Sequence, residues 1–497
     1  MYKRVFTWIT CSNQIFIVFF ILAFYLYPVG RGLHDLHDPA LSGPGIPKLA
    51  WRLHQSLSPR YAEWANQRLH STRALTLSTK DISGTEWPLF GSCFFLWGTE
   101  NLQQAWEAGD HTTGVEPKVY AHDAIVAASD LVIDPKQAGW VVKHWGTNYL
   151  AHEDLFYRAL CIAAMTSREA LLHDHANTEK AKSMANALMK EIDLSPSGLL
   201  SDYPGECYSG DLLETLACIK RADAVFGMDH SRELQRAIRA FSGKGLDHRG
   251  LSPYMSYEET GLPMYDARGC GNSYICLSSA EVWPAESKHW FDLYVTNFWQ
   301  EKYLIAGFRE YAKDVPNKNW TMDVDAGPVI TGQGVAASAF GIGAARINGR
   351  FDKAYPLSAE MLATIWELPS GTLGGPRLLS NSTDAPLLGE AGVLWFTTIQ
   401  PQPGFPVTRG GSVPGFTWLV FGFVFSLGLW RIYAAVRLMR NTWLTAAVVP
   451  RYPRVQVMAW VVCVLGVMLL AGWHHWLLAS LLFVIALSLP LRAKLPS

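Results

Sequence analysis

The densest group of reactive side chains lies in Tyr203-Pro204-Gly205-Glu206-Cys207-Tyr208-Ser209-Gly210-Asp211, directly after Asp202. Carboxylates, a thiol and two phenols crowd a segment that Pro204 and Gly205 mark as a turn. A dry pocket would raise the pKa of Glu206 and make it a general acid. Asp211 suits either acid–base work or the N-cap of the helix that follows.

Three other stretches carry related chemistry. His152-Glu153-Asp154 precedes an apolar helical run; His152 can move protons near neutral pH, whereas Glu153 and Asp154 also fit a helix first turn. Tyr265, Asp266, Arg268, Cys270 and Asn272 form a second polar loop. If that loop neighbours the first, Cys207 and Cys270 could form a disulfide, stay as two buried thiols, or give a thiolate activated at a helix N-terminus. In Asp323-Val324-Asp325, alternate residues of an extended loop point the same way. Two acids across a cleft are what glycosidic cleavage requires, although the pair could also hold a hard cation or brace its loop.

The expected catalytic groups are therefore Asp211, Glu206, His152, Asp325, Asp323 and Cys207. Tyr203, Tyr208, Glu153, Asp154, Asp266, Arg268, Cys270, Asn272 and Gln333 are expected to contact substrate. Zinc-ligand spacing, a phosphate-cradling loop, a dinucleotide fingerprint and a Gly-x-Ser-x-Gly elbow are all missing. No cofactor and no metal is expected.

These segments recur with a period. Starts of similar polar and glycine-rich helices fall near Gly91, Asp154, Asp211, Asn272, Gly332 and Glu390, in steps of 63, 57, 61, 60 and 58 residues. Each step holds two helices and two loops, the mark of a repeat architecture. Runs such as 159–165, 212–219 and 335–345 are apolar almost all round, as buried inner helices are. Amphipathic runs such as 178–192 and 231–241 alternate with them. The expected fold is all-α: a six-hairpin (α/α)6 toroid over residues 49–400, whose inner-helix N-termini share one rim. Short strand pairs are expected only near Asp130–Ile133 and Val393–Thr397. Cys93, Cys161, Cys218 and Cys276 read as buried core thiols.

Both ends read as membrane segments. A basic start, Lys3-Arg4, precedes an apolar stretch from Val5 to Val29, long enough to cross a bilayer, with no small-residue cleavage site. Residues 1–29 are expected to be an uncleaved anchor and 30–48 a Gly/Pro-rich tether. Residues 401–415 form a second such linker, and 416–497 hold about three further spans, near 416–438, 455–471 and 476–491. Arg437, Arg440, Arg451, Arg454, Arg492 and Lys494 then lie with the N-terminus on the cytoplasmic side. The toroid is expected on the extracytoplasmic side of a bacterial inner membrane, as a multi-pass protein with the lipid bilayer as partner. His474-His475 falls in a short outer turn, solvated or metal-binding. A net charge of −1 in 497 residues, with no basic stripe, argues against nucleic acid. The 20 tryptophans suit a membrane belt or a sugar-stacking cleft.

With this period and these loops, the chain over residues 80 to 400 resembles the linalool dehydratase/isomerase-like group of six-hairpin proteins. Tyr203–Asp211 and the 323–334 loop before an Ala/Gly-rich helix carry the likeness. The resemblance implies acid–base chemistry on an allylic alcohol around an internal cavity, with Cys207, His152 and Tyr203 or Tyr208 in the family's cysteine, histidine and tyrosine roles. Asp211 stands where that family has a second cysteine, which shifts the chemistry toward carboxylates. Three functions stay open: cleavage of a glycan or glycolipid, dehydration or isomerisation of an isoprenoid or other lipid alcohol, and non-catalytic glycan binding or scaffolding in an envelope.

Overall fold

A computed structural model describes residues 2–151, 154–316 and 318–444, with isolated positions beyond 444. The chain divides into two compact units. One comprises Met1–Arg31, Glu367–Pro369 and Leu419–Ser497; the other comprises Gly32–Trp366 and Ser370–Trp418.

Helices dominate. In chain order the principal ones are Tyr2–Ile21 (α1), Tyr27–Asp35 (α2), Lys48–Leu69 (α3), Trp87–Glu107 (α4), His122–Ile133 (α5), Leu155–Leu172 (α6), Thr178–Leu194 (α7), Ser209–Phe226 (α8), Ser231–Ala237 (α9), Gly269–Val282 (α10), Pro284–Phe298 (α11), Val335–Ile347 (α12), Phe351–Ile365 (α13), Leu388–Thr398 (α14) and Gly415–Leu444 (α15). The six repeat marks each lie within about one turn of the start of α4, α6, α8, α10, α12 or α14.

Those six helices pack in sequence: α4 on α6, α6 on α8, α8 on α10, α10 on α12, α12 on α14, and α14 back on α4. Their composition explains this. In α10 and α14 nearly every residue is buried, so neither presents a polar stripe to solvent. The closing contact needs a missing side chain: a Cβ at Gly98 would sit 2.7 Å from Leu394 Cγ. The remaining helices lie against these. α7 is amphipathic, burying Ala181, Ala185, Leu188, Met189 and Ile192 at helical spacing against α6 and α8. Helix α3 packs on both α14 and α5, so α14 takes a partner from much earlier in the chain.

The stretches expected as tether and linker are folded onto this unit. Leu36, Leu41 and Ile46 are buried, and Arg346 donates to the carbonyls of Ala40 (2.9 Å) and Gly45 (2.6 Å). Backbone N–H groups of Gln402 and Thr408 bond to Ile347 and Gly349.

Strands occur where none was expected. Asp130–Ile133 ends α5 and Val393–Thr397 lies within α14. Their β-branched residues continue helical burial patterns, and burial on that period overrides local strand preference. The short strands instead sit in the loops before α8, α10 and α12. Cys207–Tyr208 (β1), Met255–Ser256 (β2) and Pro263–Tyr265 (β3) form one sheet; Trp299–Lys302 (β4) pairs with Ile305–Phe308 (β5); Trp320–Asp323 (β6), Gly327–Ile330 (β7) and Gln333–Gly334 (β8) form a third.

Among the described residues two helical stretches, Cys11–Asp35 and Gly415–Trp443, are long and apolar enough to cross a membrane. Both reach past the expected limits, because polar residues such as Arg31 and Arg440 continue the helix. In the first unit Ile17 and Ile21 pack with Phe20, Tyr25, Leu26 and Ile432. The spans expected near 455–471 and 476–491, and the His474-His475 turn, fall outside the described residues apart from isolated positions.

Candidate active site

Backbone pairing draws three loops together. In the first sheet Cys207 pairs with Ser256 and Tyr208 with Met255, and Met255 pairs in turn with Tyr265. The Gly269 N–H donates to the Glu310 carbonyl (2.8 Å), and the Glu310 N–H donates to that of Gly332 (3.1 Å). Only glycine fits at 269, since a Cβ would lie 1.9 Å from the Arg309 carbonyl oxygen. The Tyr254 hydroxyl, two residues from β2's end, donates to the Asp325 carboxylate. Tyr203–Asp211, Tyr265–Asn272 and Asp323–Gly334 thus occupy one region at the starts of α8, α10 and α12.

Carboxylates gather there. Glu86 at the start of α4 accepts from the Tyr203 hydroxyl. Burial pushes Glu86 up to about 8; the Tyr203 bond opposes this, and the charges of Asp211 and Asp325 add to it. Asp211, in the first turn of α8, is raised to about 7 by burial, then by Asp325 and Glu214. Glu86 and Asp211 keep some exposed area despite strong desolvation. Asp202 is buried, accepts from the Tyr208 N–H (2.7 Å) and leaves Oδ1 unpartnered. Burial, then Asp211, Asp154 and Glu86, raise it well above the ordinary range. Asp154, capping α6, is also buried, with neither carboxylate oxygen hydrogen-bonded. Burial raises it to about 8 against the pull of Arg158 and the Tyr157 amide. Burial in low dielectric is the common cause, because each acid pays to ionise away from water.

Aromatic rings from α4, α6, α10, α12 and α14 pack against one another. Phe90 lies 4.3 Å from Phe94, 5.8 Å from Phe156 and 5.9 Å from Tyr274, and Phe340 lies 5.2 Å from Tyr274 and 4.9 Å from Phe396. A polar rim over an apolar floor is the usual form of a small-molecule site.

The expected residues divide accordingly. Asp211, Tyr203, Tyr208 and Asp325 gather around Glu86, and Asp154 acts on Asp202. Asp211 is not an N-cap: α8 begins two residues earlier, with Tyr208 in that place. Glu206 is exposed and paired with the Tyr208 hydroxyl (3.1 Å), because the Pro204-Gly205 turn swings it outward. Cys207 turns toward Ser201 (3.6 Å) and Glu258, while Cys270 donates to Glu310 (3.1 Å), so the two thiols are not a disulfide. Arg268 ion-pairs with the fully buried Glu310 (2.7 Å) and stacks 4.5 Å over Tyr254. Asn272 braces the Ser252 and Arg268 carbonyls. Gln333 reaches the Gln300 carbonyl, away from the acids. Asp266 turns to solvent beside His248 (3.8 Å) and Arg249 (3.6 Å), since its loop position faces out. Asp323 pairs through its backbone with Gly327; its side chain, like all of His152 and Glu153, lies outside the described residues. Glu390 is structural, held by Arg60 (3.0 Å) and Arg377 (2.9 Å).

Glu86, Tyr254 and Glu310 were not anticipated. Glu86 lies five residues before Gly91, so its place at a repeat start was a usable signal; Tyr254 and Glu310 arrive through cross-loop pairing that leaves none. An open pocket of about 470 Å³ lies beside the site, lined by Gly205, Tyr257, Glu258, Glu259, Thr260 and Leu262. It lacks the clustered acids, and the group of Glu86, Asp211 and Asp325 is the better candidate. No protein-family model and no curated protein matches the chain.

Proposed function

We propose that the second unit is a six-hairpin α-toroid, anchored in a membrane with this unit extracytoplasmic, and that it cleaves a glycan or glycolipid by carboxylate acid–base chemistry. The helix order that returns to α4 supports the toroid. The chemistry rests on one observation: Glu86 and Asp211, desolvated acids raised to about 8 and 7, share a field with Asp325, which Tyr254 holds on the open side. Glu86 or Asp211 enters protonated and gives its proton to the leaving oxygen. Asp325 acts from the other side as base or nucleophile. A scaffold would have its rim acids salt-bridged; Asp154, Asp202 and Asp211 have no salt bridge among the described residues. The test is turnover of envelope glycans by the full chain against Asp211→Asn and Glu86→Gln. Normal folding with unchanged turnover in both variants would end this reading.

A second reading keeps the proton donor and changes the substrate. The floor of Phe90, Phe156 and Phe340 suits a lipid-soluble alcohol, in line with the resemblance to linalool dehydratase/isomerase-like proteins. Loss of water from such an alcohol also begins with a protonated carboxyl beside the hydroxyl. Cys207, turned away toward Glu258, would then be a bystander.

A further inference from the structure

The turn between β4 and β5 consists of Tyr303 and Leu304, since Lys302 pairs directly with Ile305. Both residues have positive φ, 53° and 71°. Two-residue hairpins use that left-handed geometry, and Asn-Gly normally fills it because a bulky side chain is strained there. Here two large side chains take the strain and then stand in the open, Tyr303 at 70% exposure and Leu304 at 60%. A turn that only reversed the chain in water would gain nothing from either, so the strain points to a use.

The place of the turn supplies one. The Leu304 carbonyl accepts the Phe416 N–H (2.9 Å), and the Leu304 side chain lies over Gly415, where a Cβ would meet Leu304 Cδ2 at 2.7 Å. Gly415 opens α15, which as far as Trp443 is long and apolar enough to cross a membrane. The turn is thus fixed at the point where that helix begins. Around it stand groups that favour a membrane–water boundary. Trp418, in the first turn of α15, is half exposed, and the exposed Lys302 holds its ammonium 4.7 Å over the Tyr303 ring. The neighbouring Glu301 accepts from Trp299 Nε1 (2.9 Å).

We infer that Lys302, Tyr303 and Leu304 are a lipid contact of the second unit, seated in the headgroup layer of the bilayer that α15 enters. The inference rests on the reading of α15 as a membrane span. Tyr303 places its ring at the acyl boundary with its hydroxyl toward water, Leu304 buries apolar surface, and Lys302 meets lipid phosphate. Because Gln300 on β4 donates to the Thr331 carbonyl (3.1 Å), the same contact steadies the loop before α12.

The test is fluorescence quenching on the full chain in nanodiscs of phosphatidylcholine and phosphatidylglycerol. Single labelled cysteines report on the turn (Tyr303→Cys), the helix start (Trp418→Cys) and the exposed side of α7 (Lys190→Cys), with the labelled unsubstituted chain as background. A nitroxide on the lipid headgroup should quench the turn and the helix start alike, at least about twofold more than α7. Lys302→Cys reads the same depth if Tyr303→Cys does not fold. Quenching at the helix start without quenching at the turn overturns the inference and leaves α15 in the membrane. Quenching at neither removes the inference and the membrane reading together. A turn shielded from aqueous iodide but not quenched by lipid also overturns it, since a protein partner or a second copy would then cover the hairpin. Replacing the turn by Asn-Gly (Tyr303→Asn with Leu304→Gly) should keep melting at or above that of the unsubstituted chain, because the strain is relieved. In that background a label at Lys302→Cys should lose about half of its lipid quenching; undiminished quenching overturns the role of the two side chains.

Discussion

The Tyr203 hydroxyl donates to the Glu86 carboxylate across 117 positions of sequence, joining the loop before α8 to the start of α4. This bond opposes the burial that raises Glu86. It keeps Glu86 near neutrality, where a carboxyl can both hold and release a proton.

Removing the bond should therefore shift a pH profile. In Tyr203→Phe, Glu86 loses a donor that favours its ionised form, so its pKa rises further above 8. The alkaline limb of activity should move to higher pH while folding is kept. A limb that stays in place would show that Glu86 is not the proton donor.

Glu86→Gln should separate chemistry from stability. Because the native state favours the neutral acid near pH 7, glutamine copies its shape and lack of charge. Thermal stability at pH 7 should change by less than about 1 kcal/mol, while turnover falls by roughly 10²- to 10⁴-fold.

Stability should rise as pH falls from 8 toward about 5. Glu86 and Asp154 are raised to about 8, and Asp211 and Glu310 to about 7, all by burial first. Between these values and their ordinary ones the native state holds more protons than the unfolded chain, so raising pH through that window favours unfolding. The trend should reverse in stronger acid. Burial would raise Asp384, but Arg73 and Arg68 hold it below its ordinary value, and protonating it breaks those pairs. Melting temperature measured against pH checks both signs; a maximum at pH 8 or above contradicts the first.

Gly269→Ala should destabilise by about 3 kcal/mol, because its Cβ would collide with the Arg309 carbonyl and push the backbones at 269 and 310 apart. Turnover should fall with it, as Arg268 and Tyr254 lose their register. A variant with wild-type melting and activity would mean that these loops need not touch.

The cysteines give a chemical check. Cys207 and Cys270 face different carboxylates. Alkylation of the denatured chain without reductant should therefore modify both, by intact-mass measurement, even after extracytoplasmic expression. A mass deficit of two alkyl groups at these positions would contradict the geometry.

The amino-acid sequence alone determined the starts of six apolar helices and the apolar stretches near 5–29 and 416–438, because a switch from polar and glycine residues to all-round apolar runs is a local signal. It also marked Asp211, Asp325, Tyr203 and Tyr208, which stand in turn-rich segments beside those starts. Only the tertiary structure decided which acids share a field. Glu86, Tyr254 and Glu310 reach the site through pairing between loops far apart in the chain. Glu206 and Asp266, similar to Asp211 in their local surroundings, face solvent instead. Burial sets the charge of a carboxylate, and burial is a property of the neighbours that folding brings, which no local pattern encodes.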